Sequence, residues 1–161
     1  MAMLPPVQLL DEMDEQMWTL LQRNLTGITE AEAAWCPHPD ANPVRWMIGH
    51  LAWFEEWAHD ALGREGRYLV DRDPTAYWDG TIPTLLAKFA DARARYRARI
   101  GELTEQDLAA RLSYFGRYEL SNLELLTTHA LHLAGHRFQV RYVRGTFSRA
   151  HGTSKADFDP W

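Results

Sequence analysis

Apolar positions along the chain recur mostly at intervals of three and four, and they mark four long amphipathic segments. After Pro5-Pro6, which suit a first helical turn because no amide is lost there, Leu10, Met13, Met17, Leu21 and Leu25 form one stripe ended by Gly27. Thr29-Glu30-Ala31-Glu32 has the order of a capping box and predicts a short turn before Trp35. Pro37, Pro39 and Pro43 exclude regular structure. Asn42 then predicts the cap, and Pro43 the first position, of a second helix through Val44 to about Leu62, closed by Gly63. A third helix begins at Pro83, carries Leu85, Leu86, Phe89, Tyr96 and Ile100, and stops at Gly101. Thr104 to Ala110 predicts a short turn, and Arg111 to Leu120 an irregular stretch or small hairpin bent at Gly116. Ser121-Asn122-Leu123-Glu124, a second capping-box order, opens a last helix expected to run to about Arg144, before Gly145.

Four such helices predict an all-α, four-helix bundle over residues 1–145, with 146–161 as a polar tail of the same domain. Residues 64–80 separate the second and third helices by more than the ~12–15 residues of an ordinary loop. That length predicts a crossover or a functional loop, so those helices need not form an antiparallel hairpin.

The bulk numbers narrow the function classes. With 161 residues, 46% hydrophobic and 24% charged, the chain can bury one core of its own. A formal charge of −5 argues against nucleic acid and for a basic partner or a small-molecule substrate. Cys36 is the single cysteine, which excludes an intrachain disulfide and a multi-cysteine zinc cluster. The sequence shows no basic leader ahead of an apolar run and no window near the ~20 apolar residues of a spanning helix, so the expectation is a cytoplasmic protein with no membrane partner.

The candidate chemistry lies on the last helix. Leu125, His129, His132, His136, Val140 and Val143 share one face, so three imidazoles point where an amphipathic helix buries its apolar side. His132 and His136 are four apart, a spacing that lets two ring nitrogens reach one divalent ion at about 2.0–2.1 Å; His129 with His132 is a poorer alternative. On the second helix Trp46, His50, Trp53 and Trp57 fall within about 60° of one another. His50 is therefore the natural third ligand, and the tryptophans a shell that lowers the local dielectric. The alternative is a set of hydrogen-bonded core histidines, each needing polar partners of its own. Arg93, Arg95, Arg97 and Arg99 read as solvated flanks, or else as an anion-binding lip. Glu55 and Asp60 read as solvated, His38 and His151 as surface residues, and His59 as a partner of the helix C-terminus. Cys36 has no neighbouring base in sequence.

The stretch Asn42-Pro43-Val44-Arg45-Trp46-Met47-Ile48-Gly49-His50-Leu51-Ala52, followed by His132-x-x-x-His136-Arg137-x-Gln139 and Tyr142-Val143-Arg144-Gly145, resembles the DinB/YfiT-like superfamily. Its second-helix part also resembles the DinB-like domain of ergothioneine-biosynthesis sulfoxide synthases, whose catalytic domain has no counterpart here. The resemblance implies up-down-down-up connectivity and a divalent metal, zinc or nickel ahead of iron or manganese, on His50, His132 and His136. Trp46, Trp53, Trp57, His129 and Arg137 would line the pocket or stand behind the ligands, His129 as an extra residue near the site. Phe138 stands where the family often has glycine, which alters the pocket floor. Relatives of this kind imply a metal-dependent S-transferase or isomerase using a low-molecular-weight thiol on a small electrophile. A metal-dependent hydrolase is the alternative, and a non-catalytic stress-related metal-binding or homodimeric interaction protein the third. All three readings predict loss of metal below about pH 6 if the histidines titrate near 6.5.

Overall fold

The computed structural model describes residues 3–62, 66–67, 77–114 and 117–153. Four long helices form the bundle: α1 (Pro5–Leu25), α3 (Val44–Ala61), α4 (Ile82–Ile100) and α6 (Asn122–His151). Two short helices, α2 (Glu30–Ala34) and α5 (Glu105–Ala109), lie in the connections. A small sheet adds β1 (Gly66–Arg67), parallel to β2 (Arg111–Tyr114), which in turn pairs antiparallel with β3 (Tyr118–Ser121). The hairpin alternative for 111–120 is thus the one adopted, with Gly116 outside the described residues.

Side-chain pairs give the helix directions. Glu55 meets Arg93, and Arg99 donates to the Leu62 carbonyl, so α3 and α4 run parallel. Trp18 packs edge-on to Phe89 while Asp11 pairs with Arg97, so α1 and α4 are antiparallel. Asp14 meets His129, and Arg144 donates to the Asn24 carbonyl, so α1 and α6 are parallel. His50 faces His136 and Glu55 faces His129, so α3 and α6 are antiparallel. The order is up-down-down-up, and the parallel middle pair is what the long connection before α4 accomplishes.

Local sequence accounts for most helix ends. Pro5 starts α1, and Ser121 and Glu124 cap α6 reciprocally. Thr29 accepts from the Glu32 amide, whereas the Glu32 carboxylate turns away to Arg144. α3 begins one residue later than the Asn42 cap predicts, with Pro43 in the cap position and no side-chain cap bond.

Two expectations need correction. On α1 the buried face is Val7, Trp18, Leu21 and Leu25 with Asp14 among them, while Met13 is exposed. α6 does not stop before Gly145: it continues to His151 and ends at Gly152, whose φ of 64° suits glycine. Gly145, Ser148 and Arg144 are buried, and Arg144 is held by Glu32 and the Asn24 and Thr26 carbonyls, so tertiary packing carries the helix past the glycine. The remainder of the expected tail, 154–161, lies outside the described residues, as does Gly63. No described helix is long and apolar enough to cross a membrane.

Candidate metal centre

The antiparallel seam of α3 and α6 brings His50, His132 and His136 together. His132 Nε2 stands 3.0 Å from His50 Nε2 and 3.1 Å from His136 Nε2, and the three residues offer nitrogens all within 4.8 Å of one another. Aromatic rings wall them in. Trp46 stacks on His50 at 4.6 Å and 9°, and Trp53 lies at 5.9 Å on the same imidazole. Phe54 lies 4.2 Å from His132, and Trp78, just before α4, meets Trp46. Gly49 permits this last approach, since a Cβ there would stand 2.7 Å from Trp78 Cδ1 and overlap the Tyr77 carbonyl.

Burial keeps these imidazoles neutral. Desolvation, then the neighbouring His136, lowers the His50 pKa to about 4. Desolvation, then His136 and His50, lowers that of His132 to about 2. His136 is lowered by burial as well, against an opposing hydrogen bond with Gln139. A neutral imidazole has one N–H and one lone pair. Hydrogen bonding among the Nε2 atoms cannot satisfy every ring, because His132 Nδ1 is buried with no hydrogen-bond partner in either tautomer. An unmatched buried polar atom costs about 1–3 kcal/mol.

The donor set does fit a divalent ion. Nitrogens at about 2.0–2.1 Å around a tetrahedral ion stand about 3.3 Å apart, a few tenths beyond the two separations here. Among the described residues no cysteine or carboxylate joins the group.

The other sequence-selected residues fall elsewhere. Trp57 is fully buried but one ring further out, packed on Phe54 and Tyr114. Arg137 is buried with its guanidinium 4.8 Å over the Phe138 ring. His38 and His151 are exposed, and His59 pairs with Asp60.

His129 belongs to a second cluster. Its Nδ1 meets Asp14 at 3.0 Å and its Nε2 meets Glu55 at 3.0 Å, with Arg93 bonded to both carboxylates. Each long helix contributes one residue, and all four are buried. Burial alone would lower the His129 pKa, but Glu55 and Asp14 raise it to about 10. Burial alone would raise that of Asp14, but His129 and Arg93 hold it below the ordinary range. The solvated reading is therefore corrected for Glu55 and Arg93, which are buried, and holds for Arg95, which bonds Glu56 from an exposed position; Arg97 bonds Asp11 and Glu15, and Arg99 donates to the Leu62 carbonyl at the α3 end. A buried carboxylate attracts its counter-charge from another helix, and sequence spacing on one helix cannot show that. Asp14, Phe54, Trp78 and Gln139 were not singled out for these roles. The available signal was a charge inside an apolar stripe, as at Asp14 between Leu10 and Trp18 or Arg93 between Phe89 and Tyr96.

A four-helix bundle with parallel middle helices and three histidines converging across one seam is the class of protein these features define. The profile of the DinB superfamily matches residues 13–140, and the chain belongs to that superfamily. Among solved structures it is similar to YfiT from Bacillus subtilis, with a TM-score of 0.74 and 16% identity over 92% of this chain and 89% of that one. YfiT is described as a probable metal-dependent hydrolase with an unusual four-helix bundle topology. A conserved protein from Enterococcus faecalis is similar over 85% of this chain and 94% of its own, with a TM-score of 0.66 and 16% identity. No functionally curated protein matches the chain.

Proposed function

We propose that this chain is a metal-dependent enzyme in which His50, His132 and His136 hold one divalent ion, zinc or nickel ahead of iron or manganese. The reaction we assign is transfer of a low-molecular-weight thiol to a small electrophile. The observation behind this reading is the convergence of three Nε2 atoms at 3.0 and 3.1 Å, all on rings that burial keeps unprotonated. When bound to three neutral donors, the ion retains its charge and favours the anionic form of a thiol or water beside it. Trp46, Trp53 and Phe54 exclude water from the imidazole faces. The thiol sulfur would bond to the electrophilic carbon as its proton passes to solvent and the leaving group departs with its bonding pair. In an isomerisation the sulfur would add and later leave.

Thiol chemistry is preferred to hydrolysis because no described carboxylate joins the three imidazoles to serve as a base. A thiol, with an ordinary pKa of about 8.5, needs less help to ionise than water. The hydrolase reading has its own support in the likeness to YfiT, described as a probable metal-dependent hydrolase.

Elemental analysis of the purified protein, beside the triple variant His50→Ala, His132→Ala, His136→Ala, tests the ion. About one equivalent in the parent and none in the variant is expected; a parent that stays metal-free after incubation with zinc, nickel, iron and manganese overturns the proposal. Titrating the cobalt-substituted protein with a small thiol then separates the chemistries. A visible-band shift supports thiol transfer, whereas an unchanged spectrum with thiol-free ester or amide cleavage supports hydrolysis.

A further inference from the structure

An open groove of about 430 Å³ continues the α3–α6 seam on one side of the histidines. Because the two helices run antiparallel with His50 opposite His136, the next turns outward are Met47 on α3 and Gln139, Tyr142 and Val143 on α6, and all four line it. Pro37 and Asn42, from the segment before α3, close the far side. The volume lies in the ~300–1,000 Å³ range of small-molecule sites. Its chemistry is one-sided, since no residue lining it carries a charge at neutral pH and its polar side chains besides the Tyr142 phenol are the neutral amides of Asn42 and Gln139. Two large rings stand at its edge with much of their surface open, Phe138 at 55% and Tyr142 at 64% exposure. Phe138 is backed by the Arg137 guanidinium at 4.8 Å, which fixes the ring without presenting charge to the groove. Gln139 joins the two places, because it lines the groove and lies three residues beyond His136 on α6.

We infer that this groove is the electrophile's binding site, that it takes an uncharged, planar, largely apolar molecule bearing one or two hydrogen-bonding groups, and that it orients the reactive end toward His136. The inference rests on the proposed metal-dependent reading of the histidines. An anionic ligand finds no charged side chain among the residues that line the groove. A neutral ring gains apolar burial against Phe138, Tyr142 and Met47.

The test uses two fluorescent probes of one skeleton, neutral N-phenyl-1-naphthylamine and its anionic relative 8-anilino-1-naphthalenesulfonate, on the full chain. The neutral probe is expected to bind saturably and at least tenfold more tightly than the anionic one. The double variant Phe138→Ala, Tyr142→Ala should weaken it at least tenfold. Both side chains are exposed, so the variant's circular dichroism and melting temperature should match the parent's. In protein loaded with manganese, the probe's proton resonances should broaden. Equal affinity for the two probes, no loss in the variant, or a dimer that covers the groove and excludes the neutral probe overturns the inference, even where one equivalent of metal is bound. Probe binding that the variant abolishes, in protein that takes up no metal, supports the groove while removing the metal reading.

Discussion

His129 and His132 lie three residues apart on one helix and face into the same bundle, the first buried and the second half-buried, yet they rest in opposite states. His129 sits between two carboxylates that hold its proton, with a pKa raised to about 10. His132 sits among two other imidazoles and a phenylalanine, with a pKa lowered to about 2 and a buried Nδ1 lacking a partner. Burial penalises the charged form in both places, and only what faces the ring differs. The first cluster is electrically complete, with two carboxylates, an imidazolium and a guanidinium. The second is three neutral imidazoles with no carboxylate joined to them among the described residues, the donor set proposed to take a cation. A bundle that satisfies one buried histidine fully and leaves another open, one turn away, separates a structural polar site from a ligand site.

The largest effect should come from breaking the complete cluster. Arg93→Met leaves two buried carboxylates facing one imidazolium, and uncompensated buried charge of this kind costs about 3–5 kcal/mol. Against a typical total of about 5–15 kcal/mol, the denaturant midpoint should fall steeply or the chain should fail to fold. A midpoint within experimental error of the parent would show that the cluster contributes little.

Gly49→Ala should follow in size. The new Cβ meets the Tyr77 carbonyl and Trp78, so the segment entering α4 must shift, at about 1–3 kcal/mol for overpacking. A changed near-ultraviolet circular dichroism signal should report the disturbed Trp46–Trp78 contact.

The open cluster should behave otherwise. His132→Ala should abolish metal binding yet alter metal-free stability by no more than about 1 kcal/mol, since the lost packing is offset by removal of an unmatched polar atom. Melting curves with and without chelator check both halves, because the parent alone should lose stability when metal is withdrawn.

Acid and base should separate the two histidines as well. For His129 the folded pKa of about 10 exceeds the unfolded value near 6.5, so its stabilisation is fully present below pH 6.5 and is lost as pH rises toward 10. For His50 and His132 the folded values, about 4 and about 2, lie below 6.5. The unfolded chain then binds protons first, and metal-free stability should fall as pH drops from 6.5 through 4. The same depression bears on the threshold for metal loss expected from the sequence: with His50 and His132 unprotonated at pH 6 and His136 lowered by burial, metal release should shift below pH 6. Release at pH 6 in an equilibrium dialysis series would contradict it.

The smallest effect tests whether the helix between the sites is merely a scaffold. Gly135 lies in α6 with nothing within 4 Å of its absent Cβ, so Gly135→Ala should stabilise by about 0.5–1 kcal/mol and leave metal content unchanged.

Much of this was legible because helix periodicity and capping are local. Pro5, the Ser121–Glu124 box and Gly101 stand where their chemistry places them. The stripe from Leu125 through the histidines to Val143 does face inward, with His132 the least buried of the three histidines. The three nitrogens that meet come from the three histidines whose pattern marked them as one group. The sequence by itself determined the four helices and the inward imidazole stripe of α6, because each follows from spacing along a single element, whereas the parallel middle helices and the meeting of His50 with His132 and His136 were implied by the resemblance to the superfamily. Tertiary structure alone decided which histidine is charged and which open, since that depends on whether Asp14, Glu55 and Arg93 or other imidazoles face the ring. It also decided that α6 runs past Gly145, because the contacts offsetting a glycine's cost come from Glu32 and the end of α1, more than a hundred residues earlier. Charge state and helix length were settled by partners on other helices, and no local pattern encodes those.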